Sequence, residues 1–189
     1  MLVLIMGIAS LLAPTVNGLE CQYDEKGLSL RSQLTVKEYE VRGTRPEVAL
    51  AMLRESYKPY QPLGRDTLGA HAAEWQVRYH LSAEEGRVIK ACFHTQYVIH
   101  LPRFTDAAMA RCFEDLVDAI RVHEERHHKL TKPLVDQAGR FLIGLQEDAL
   151  EAKLTKLRET VNDQNQVFHD SPEGQPIILN PYYRRRCRG

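Results

Sequence analysis

Residues 113–127 of the chain read FEDLVDAIRVHEERH. Apolar residues recur in it at spacings of three and four, which is typical of one face of a helix: Phe113, Leu116, Val117 and Ile120. Continued at the same spacing, that face reaches His123, Glu124 and His127. We therefore predict a helix whose core-facing side ends in three chemically active side chains.

Residues 123–127 read His-Glu-Glu-Arg-His, an H-E-x-x-H motif. Side chains four apart on a helix lie one turn above each other, with Cβ atoms about 5–6 Å apart. His123 and His127 can therefore bind one Zn²⁺ ion, with nitrogen–zinc distances of about 2.0–2.1 Å. Glu124 then projects beside the metal, where it can take a proton from zinc-bound water. A charged run is commonly a solvated helix face, but a Glu on the core-facing stripe favours a metal site.

The third ligand of a catalytic zinc has to come from elsewhere in the chain, because such sites usually have three protein ligands and one water. The downstream candidates are His128, Glu147, Asp148, Glu151, Glu159, His169, Asp170 and Glu173. Helix lengths separate these candidates. We predict an outgoing helix that runs past Pro133 to about Gly144, and a return helix over residues 149–161.

The two predicted helices have similar lengths, about 25 Å from His127 outward and about 21 Å back, at 1.5 Å per residue. The loop 168–174 therefore returns to the level of the metal, whereas Glu147 stays at the tip of the hairpin. Imidazole is the commonest metal ligand. We predict His169 as the third ligand, with Glu173 as the alternative.

The residues before the motif predict a small sheet. Alternating apolar residues, short turns and one helical stretch give these elements: a strand at 36–42, a helix at 46–56, a loop at 58–69, and strands at 73–81 and 88–101. The last two strands are joined by Glu84-Glu85-Gly86, which predicts an antiparallel hairpin, and Thr105 or Asp106 can cap the next helix. The predicted fold class is α+β: a small antiparallel sheet followed by a long helical hairpin that carries H-E-x-x-H.

The N-terminal segment and the four cysteines of the chain suggest export. Residues 2–13 form an uncharged apolar run too short to span a bilayer, which predicts a signal peptide over residues 1–18 cleaved after Gly18, or else an uncleaved anchor. Four cysteines in an exported chain predict two disulfides, and of three pairings we favour Cys92 with Cys112 and Cys21 with Cys187.

The remaining segments are predicted as an irregular extension at 19–35, the zinc domain at 36–175 and a tail at 176–189.

The charge balance excludes one class of function. The 189 residues include 25 Lys plus Arg and 25 Asp plus Glu, so the chain lacks the basic surplus of a general nucleic-acid binder. Hydrophobic residues make up 43% of the chain, which is typical of one folded domain.

The order of these motifs resembles the bacterial predicted secreted zinc-dependent proteases, the family known as domain of unknown function 922. The resemblance covers residues 36–175 and is carried by these stretches: Tyr39-Glu40-Val41-Arg42-Gly43-Thr44, Glu74-Trp75, Cys92, Leu101-Pro102 and the H-E-x-x-H. It implies a metal-dependent peptidase with ligands His123 and His127 and the base Glu124. The family pattern ends on a His-Gly pair where this chain has Glu173-Gly174, so the third ligand stays open.

The expected function is hydrolysis of peptide bonds in a peptide or protein substrate, by a zinc-activated water with Glu124 as general base. The expected location is the bacterial periplasm or the exterior, with no membrane span once the signal is removed. One alternative is a non-catalytic envelope protein whose metal is structural or absent. Another is a zinc amidase that acts on cell-wall peptide.

Overall fold

The computed structural model describes residues 3–6, 21–57, 69–174 and 187. Its elements follow in this order: β1 Val3–Met6, β2 Leu28–Val41, α1 Pro46–Tyr57, β3 Ala70–Leu81, β4 Val88–Phe104, α2 Ala107–Cys112, α3 Glu114–Arg140, α4 Glu147–Asp170 and a 3-10 turn, Pro172–Gly174. The predicted α+β class, the β3–β4 hairpin and the long helical hairpin are confirmed.

The sheet has the strand order β1-β3-β4-β2 and is mixed rather than wholly antiparallel. The Ala91 amide donates to the Gly27 carbonyl beside one end of β2, and the Thr105 amide donates to the Val41 carbonyl at the other end. From the first of these hydrogen bonds to the second, the residue numbers increase along both strands, so β2 runs parallel to β4. Parallel strands need a long crossover connection, and the chain between β2 and β4 provides one, because it contains α1 and β3.

Strand β2 begins earlier than the sequence reading indicated. Its first eight residues belong to the extension 19–35 that was predicted to be irregular, so that prediction is wrong from Leu28 onward. Apolar and polar residues do alternate here, but Leu30, Leu34 and Val36 are 38–48% exposed. A strand with apolar residues on its exposed side lacks the clear polar-out pattern by which half-buried strands are identified.

Strand β1 comes from the predicted signal peptide and pairs antiparallel with β3, from Val3 opposite Arg78 to Met6 opposite Trp75. The predicted cleavage position after Gly18, residues 58–68 of the predicted loop, and the predicted tail apart from Cys187 lie outside the described residues. Each helix in the described part of the chain is either too short or too polar to span a bilayer.

The chain forms two compact units. The first contains residues up to 33, 73–97 and 130–165, and the second contains the remaining segments, 34–72, 98–129 and 166 onward. Each unit has its own buried core. The core of the first is built on Trp75, Val77, Tyr79, Phe93, Val135, Leu142, Leu150 and Leu154. The core of the second is built on Tyr39, Val41, Leu53, Ile99, Leu101, Phe113, Leu116 and Ile120.

The predicted disulfide pairing is wrong. Cys21 is bonded to Cys92, with Cα atoms 5.8 Å apart, and Cys112 is bonded to Cys187, with Cα atoms 5.1 Å apart. The division into units explains the pairing, because each bridge joins two cysteines of the same unit. Cys92 and Cys112 are closer in sequence, but strand β4 carries the chain from the first unit into the second between them.

The helices differ from the prediction in their ends. Asp106 caps α2 as expected, accepting from the Ala108 and Met109 amides at 3.0 Å, but the helix is interrupted at Phe113 before α3 begins. Helix α3 ends at Arg140 instead of about Gly144, and α4 continues nine residues past Val161. The polar run after Val161 has no apolar periodicity, and for that reason its helical character was missed.

Candidate functional site

The H-E-x-x-H motif lies on the buried face of α3. Leu116 and Ile120 are fully buried, and the same face continues to Glu124, 5% exposed, and His127, 6% exposed. The prediction that the apolar stripe of this helix runs into the motif is confirmed. All of these residues belong to the second unit.

His123 and His127 point their Nε2 atoms at a common position. The two nitrogens are 3.3 Å apart, and the ring centroids are 4.9 Å apart. Two nitrogens each about 2.0–2.1 Å from a tetrahedral zinc ion are separated by about 3.3–3.4 Å, since tetrahedral angles are close to 109°. The spacing of the pair therefore fits two ligands of one tetrahedral ion.

His169 joins this pair from the last turn of α4. One potential ligand atom from each of His123, His127 and His169 lies within 4.8 Å of the other two. The ring of His169 is 4.7 Å from that of His127 and 5.6 Å from that of His123, centroid to centroid. Three imidazoles form a donor set that suits Zn²⁺. These three residues are the one such group among the residues that the structure describes.

The end of α4 positions His169 through side-chain packing and through a hydrogen bond to the backbone. The buried ring of Phe168 lies 4.6 Å from the ring of His127 and 5.2 Å from that of His123, so it fills the space beside the pair. The chain then turns at residues 171–174, where the Ser171 hydroxyl donates to the Phe168 carbonyl at 2.6 Å. The prediction that His169 lies in a loop is wrong, because the helix includes it.

Glu173, the alternative third ligand, has a different neighbour. Its Oε2 atom lies 3.5 Å from the Arg126 guanidinium. Among the other candidates, His128 lies edge-on to His71, Asp170 accepts from the Gln166 amide, and Glu147 accepts from the Tyr79 hydroxyl at 2.6 Å. Glu147 belongs to the first unit and the histidine cluster to the second.

The Glu124 carboxyl is buried on α3, and Glu124 directly follows His123 in the sequence. Burial raises the pKa of Glu124 to about 8. The backbone of Gly69, immediately before β3, packs against this side chain. A methyl group at Gly69 would lie 2.7 Å from Glu124 Oε1 and 2.5 Å from the Ile120 Cγ2 atom. A methyl group fits at position 69 only if the side chains of Glu124 and Ile120 move, and the sequence contains no signal for this contact.

His123 is neutral at ordinary pH. Burial lowers the pKa of His123 to about 4, and the charges of His127, His169 and Arg126 add to the effect. Neutral imidazole is the form that binds metal. His71 on β3 was given no role from the sequence, yet its ring is parallel to that of His127 at 6.3 Å, and burial lowers its pKa to about 3.

The comparisons with known proteins give a family and no activity. The sequence pattern of a family described as a bacterial protein of unknown function (DUF922) matches residues 36–170. No curated protein matches this chain. No solved structure matches it either.

Proposed function

Because the chain belongs to the DUF922 family of bacterial proteins, whose function is unknown, we propose a function from its own site: an exported zinc-dependent peptidase. The observation that carries the proposal is the convergence of His123, His127 and His169, two of which lie on the helix that carries the buried Glu124. Structural zinc sites are usually closed by four protein ligands, whereas three histidines leave a position open for water or substrate.

His123, His127 and His169 would hold the metal through their ring nitrogens. A Zn²⁺ ion in such a site supplies two kinds of chemistry, because it lowers the pKa of a bound water to about 7 and polarises a carbonyl group. The neutral state of His123 supports this role, since a protonated imidazole would have to lose its proton before binding.

Glu124 would move the proton. Its carboxylate accepts a proton from the attacking water, and the resulting carboxylic acid donates that proton to the leaving amine nitrogen. Burial alone favours the protonated form of Glu124, and a nearby positive charge favours the carboxylate. The contact with Gly69 limits how far the carboxyl group can turn, so the proton acceptor is held in one place.

The proposed location is outside the cytoplasm. The two disulfides are typical of proteins that fold in an oxidising compartment. The apolar run at residues 2–13 supports the same conclusion as a signal sequence. The substrate would then be a peptide or protein of the periplasm or the exterior.

The test is hydrolysis of casein and of purified cell wall by the wild-type protein and a Glu124→Gln variant. We expect the substitution to keep the zinc and lower the rate about 10²–10⁴-fold, because the proton acceptor is lost. Glu125→Gln is the matched control, since Glu125 neighbours Glu124 on α3 but is only half-buried. A zinc-loaded Glu124→Gln variant with the wild-type rate would contradict the mechanism. Cleavage of cell wall without cleavage of casein would favour the amidase alternative.

A further inference from the structure

We propose that Arg126 and Gly174 are positioning residues that together hold His169 in its metal-binding orientation. The inference rests on the proposed metal site and adds two residues that lie outside the predicted ligand set. Its basis is a short turn, residues 171–174, that folds back over the end of α4.

The turn presents a backbone carbonyl to one side of the His169 ring. The Gly174 oxygen lies 3.4 Å from His169 Nδ1. A carbonyl oxygen can only accept, so this contact requires the proton on Nδ1 and leaves the lone pair on Nε2. Carbonyl partners of this kind fix the tautomer and the ring orientation of metal-binding histidines. The turn therefore selects the nitrogen that His169 offers.

The turn has one conformation because Gly174 is packed against the end of the helix. A methyl group at Gly174 would lie 1.9 Å from the Phe168 carbonyl oxygen, a backbone atom that cannot move aside as a side chain can. The Gly174 amide also donates to Ser171, to its carbonyl at 3.1 Å and to its hydroxyl at 3.2 Å. Any side chain at position 174 would push the turn, and with it the carbonyl, away from His169.

Arg126 ties the turn to the helix that carries the other two ligands. Its Nη1 atom lies 3.5 Å from the Glu173 carboxylate and donates to the Glu173 backbone carbonyl at 3.4 Å. Arg126 directly precedes His127 on α3. One side chain therefore joins the helix of His127 to the turn that orients His169.

The charge of Arg126 makes the proposal testable, because removing this side chain should change Zn²⁺ affinity in opposite directions for the two roles that it could have. The guanidinium of Arg126, the residue directly before His127, repels a cation bound by the cluster. If Arg126 acted only through its charge, its removal would strengthen metal binding. If Arg126 positions His169, its removal weakens binding in spite of the lost repulsion.

The experiment measures Zn²⁺ affinity, by competition with a chromogenic chelator, for the purified wild-type protein and for Arg126→Met. We expect binding about 10–100-fold weaker in the variant, as for other changes to partners of metal ligands. The visible absorption of the Co²⁺-loaded protein reports ligand geometry directly, and we expect it to change. Arg121→Met is the matched control, because Arg121 is exposed on the same helix.

A second variant, Gly174→Ala, tests the turn without altering charge. We expect a similar loss of Zn²⁺ affinity and a similar change in the Co²⁺ spectrum. Gly139→Ala is its control, because Gly139 is buried in the first unit, where a methyl group would meet Leu30 at 2.7 Å, and the histidine cluster belongs to the second unit.

The possible outcomes distinguish the positioning role of Arg126 and Gly174 from the proposed zinc-dependent function. Wild-type affinity and an unchanged Co²⁺ spectrum in both Arg126→Met and Gly174→Ala would overturn the positioning role while leaving the metal site intact. Tighter binding by Arg126→Met would overturn the role assigned to Arg126. A wild-type protein that binds neither Zn²⁺ nor Co²⁺ would contradict the proposed function, and with it the basis of this inference.

Discussion

The Nε2 atoms of His123 and His127 lie 3.3 Å apart on successive turns of α3. This separation is close to the edge of a zinc coordination tetrahedron, about 3.3–3.4 Å. Two imidazoles held this way by one helix need little rearrangement to bind an ion. The low pKa of His123, a result of burial, means that no proton has to leave it first at neutral pH.

The identity of the third ligand gives the first prediction. His169→Ala should lower Zn²⁺ affinity strongly, because it removes a donor within 4.8 Å of the other two. Glu173→Gln should have a much smaller effect, because the Glu173 carboxylate faces Arg126 and the 3.4 Å bond from Arg126 to the backbone carbonyl is kept. Chelator competition on both variants measures the difference. A loss in Glu173→Gln as large as that in His169→Ala would make Glu173 the ligand.

The contact between Gly69 and Glu124 gives the second prediction. Gly69→Ala places a methyl group 2.7 Å from Glu124 Oε1, so the carboxyl group must move. We expect zinc content to stay at the wild-type level and the rate of peptide hydrolysis to fall about 10–100-fold, since a shift of about 1 Å in a catalytic group has effects of this size. Gly139→Ala is the control, because its added methyl group would also meet a side chain at 2.7 Å, but that of Leu30 rather than Glu124. An unchanged rate in Gly69→Ala would show that the contact does not position Glu124.

The disulfides give the third prediction. Peptide mapping of the non-reduced protein should find Cys21 linked to Cys92 and Cys112 linked to Cys187. The bridges close loops of similar length, 71 and 75 residues apart in sequence, so removing either pair by serine substitution should cost a similar free energy of unfolding, about 2–5 kcal/mol. Denaturant titration measures this cost. A mapped Cys92–Cys112 bridge would contradict the structure.

Local periodicity accounts for what the sequence predicts correctly. Trp75, Val77 and Tyr79 alternate along β3 and are all buried. Phe113, Leu116 and Ile120 recur at helical spacing and are buried with the motif. In both cases the apolar periodicity that gives the prediction is contained within one strand or a few turns of one helix. The position of His169 near His127 was also anticipated, from a helical hairpin that brings the chain back toward the motif, although the predicted lengths of its two helices were wrong.

The features that sequence reasoning missed depend on contacts through space. The pairing of Cys21 with Cys92 follows from the division of the chain into two units, which no local pattern records. The place of Gly69 against Glu124 depends on where β3 meets α3. The extension of α4 to Asp170 is hidden by a polar stretch in which Phe168 is the one buried apolar residue after Val161.

The decisive experiment is to measure the metal content of the purified protein beside a His123→Ala/His127→Ala double variant. We predict near-stoichiometric zinc in the wild-type protein and none in the variant, with both folded as judged by circular dichroism. A well-folded wild-type protein that holds no zinc even after zinc is added back would contradict the proposed zinc site. The H-E-x-x-H stretch would then be a coincidence of sequence on a buried helix face.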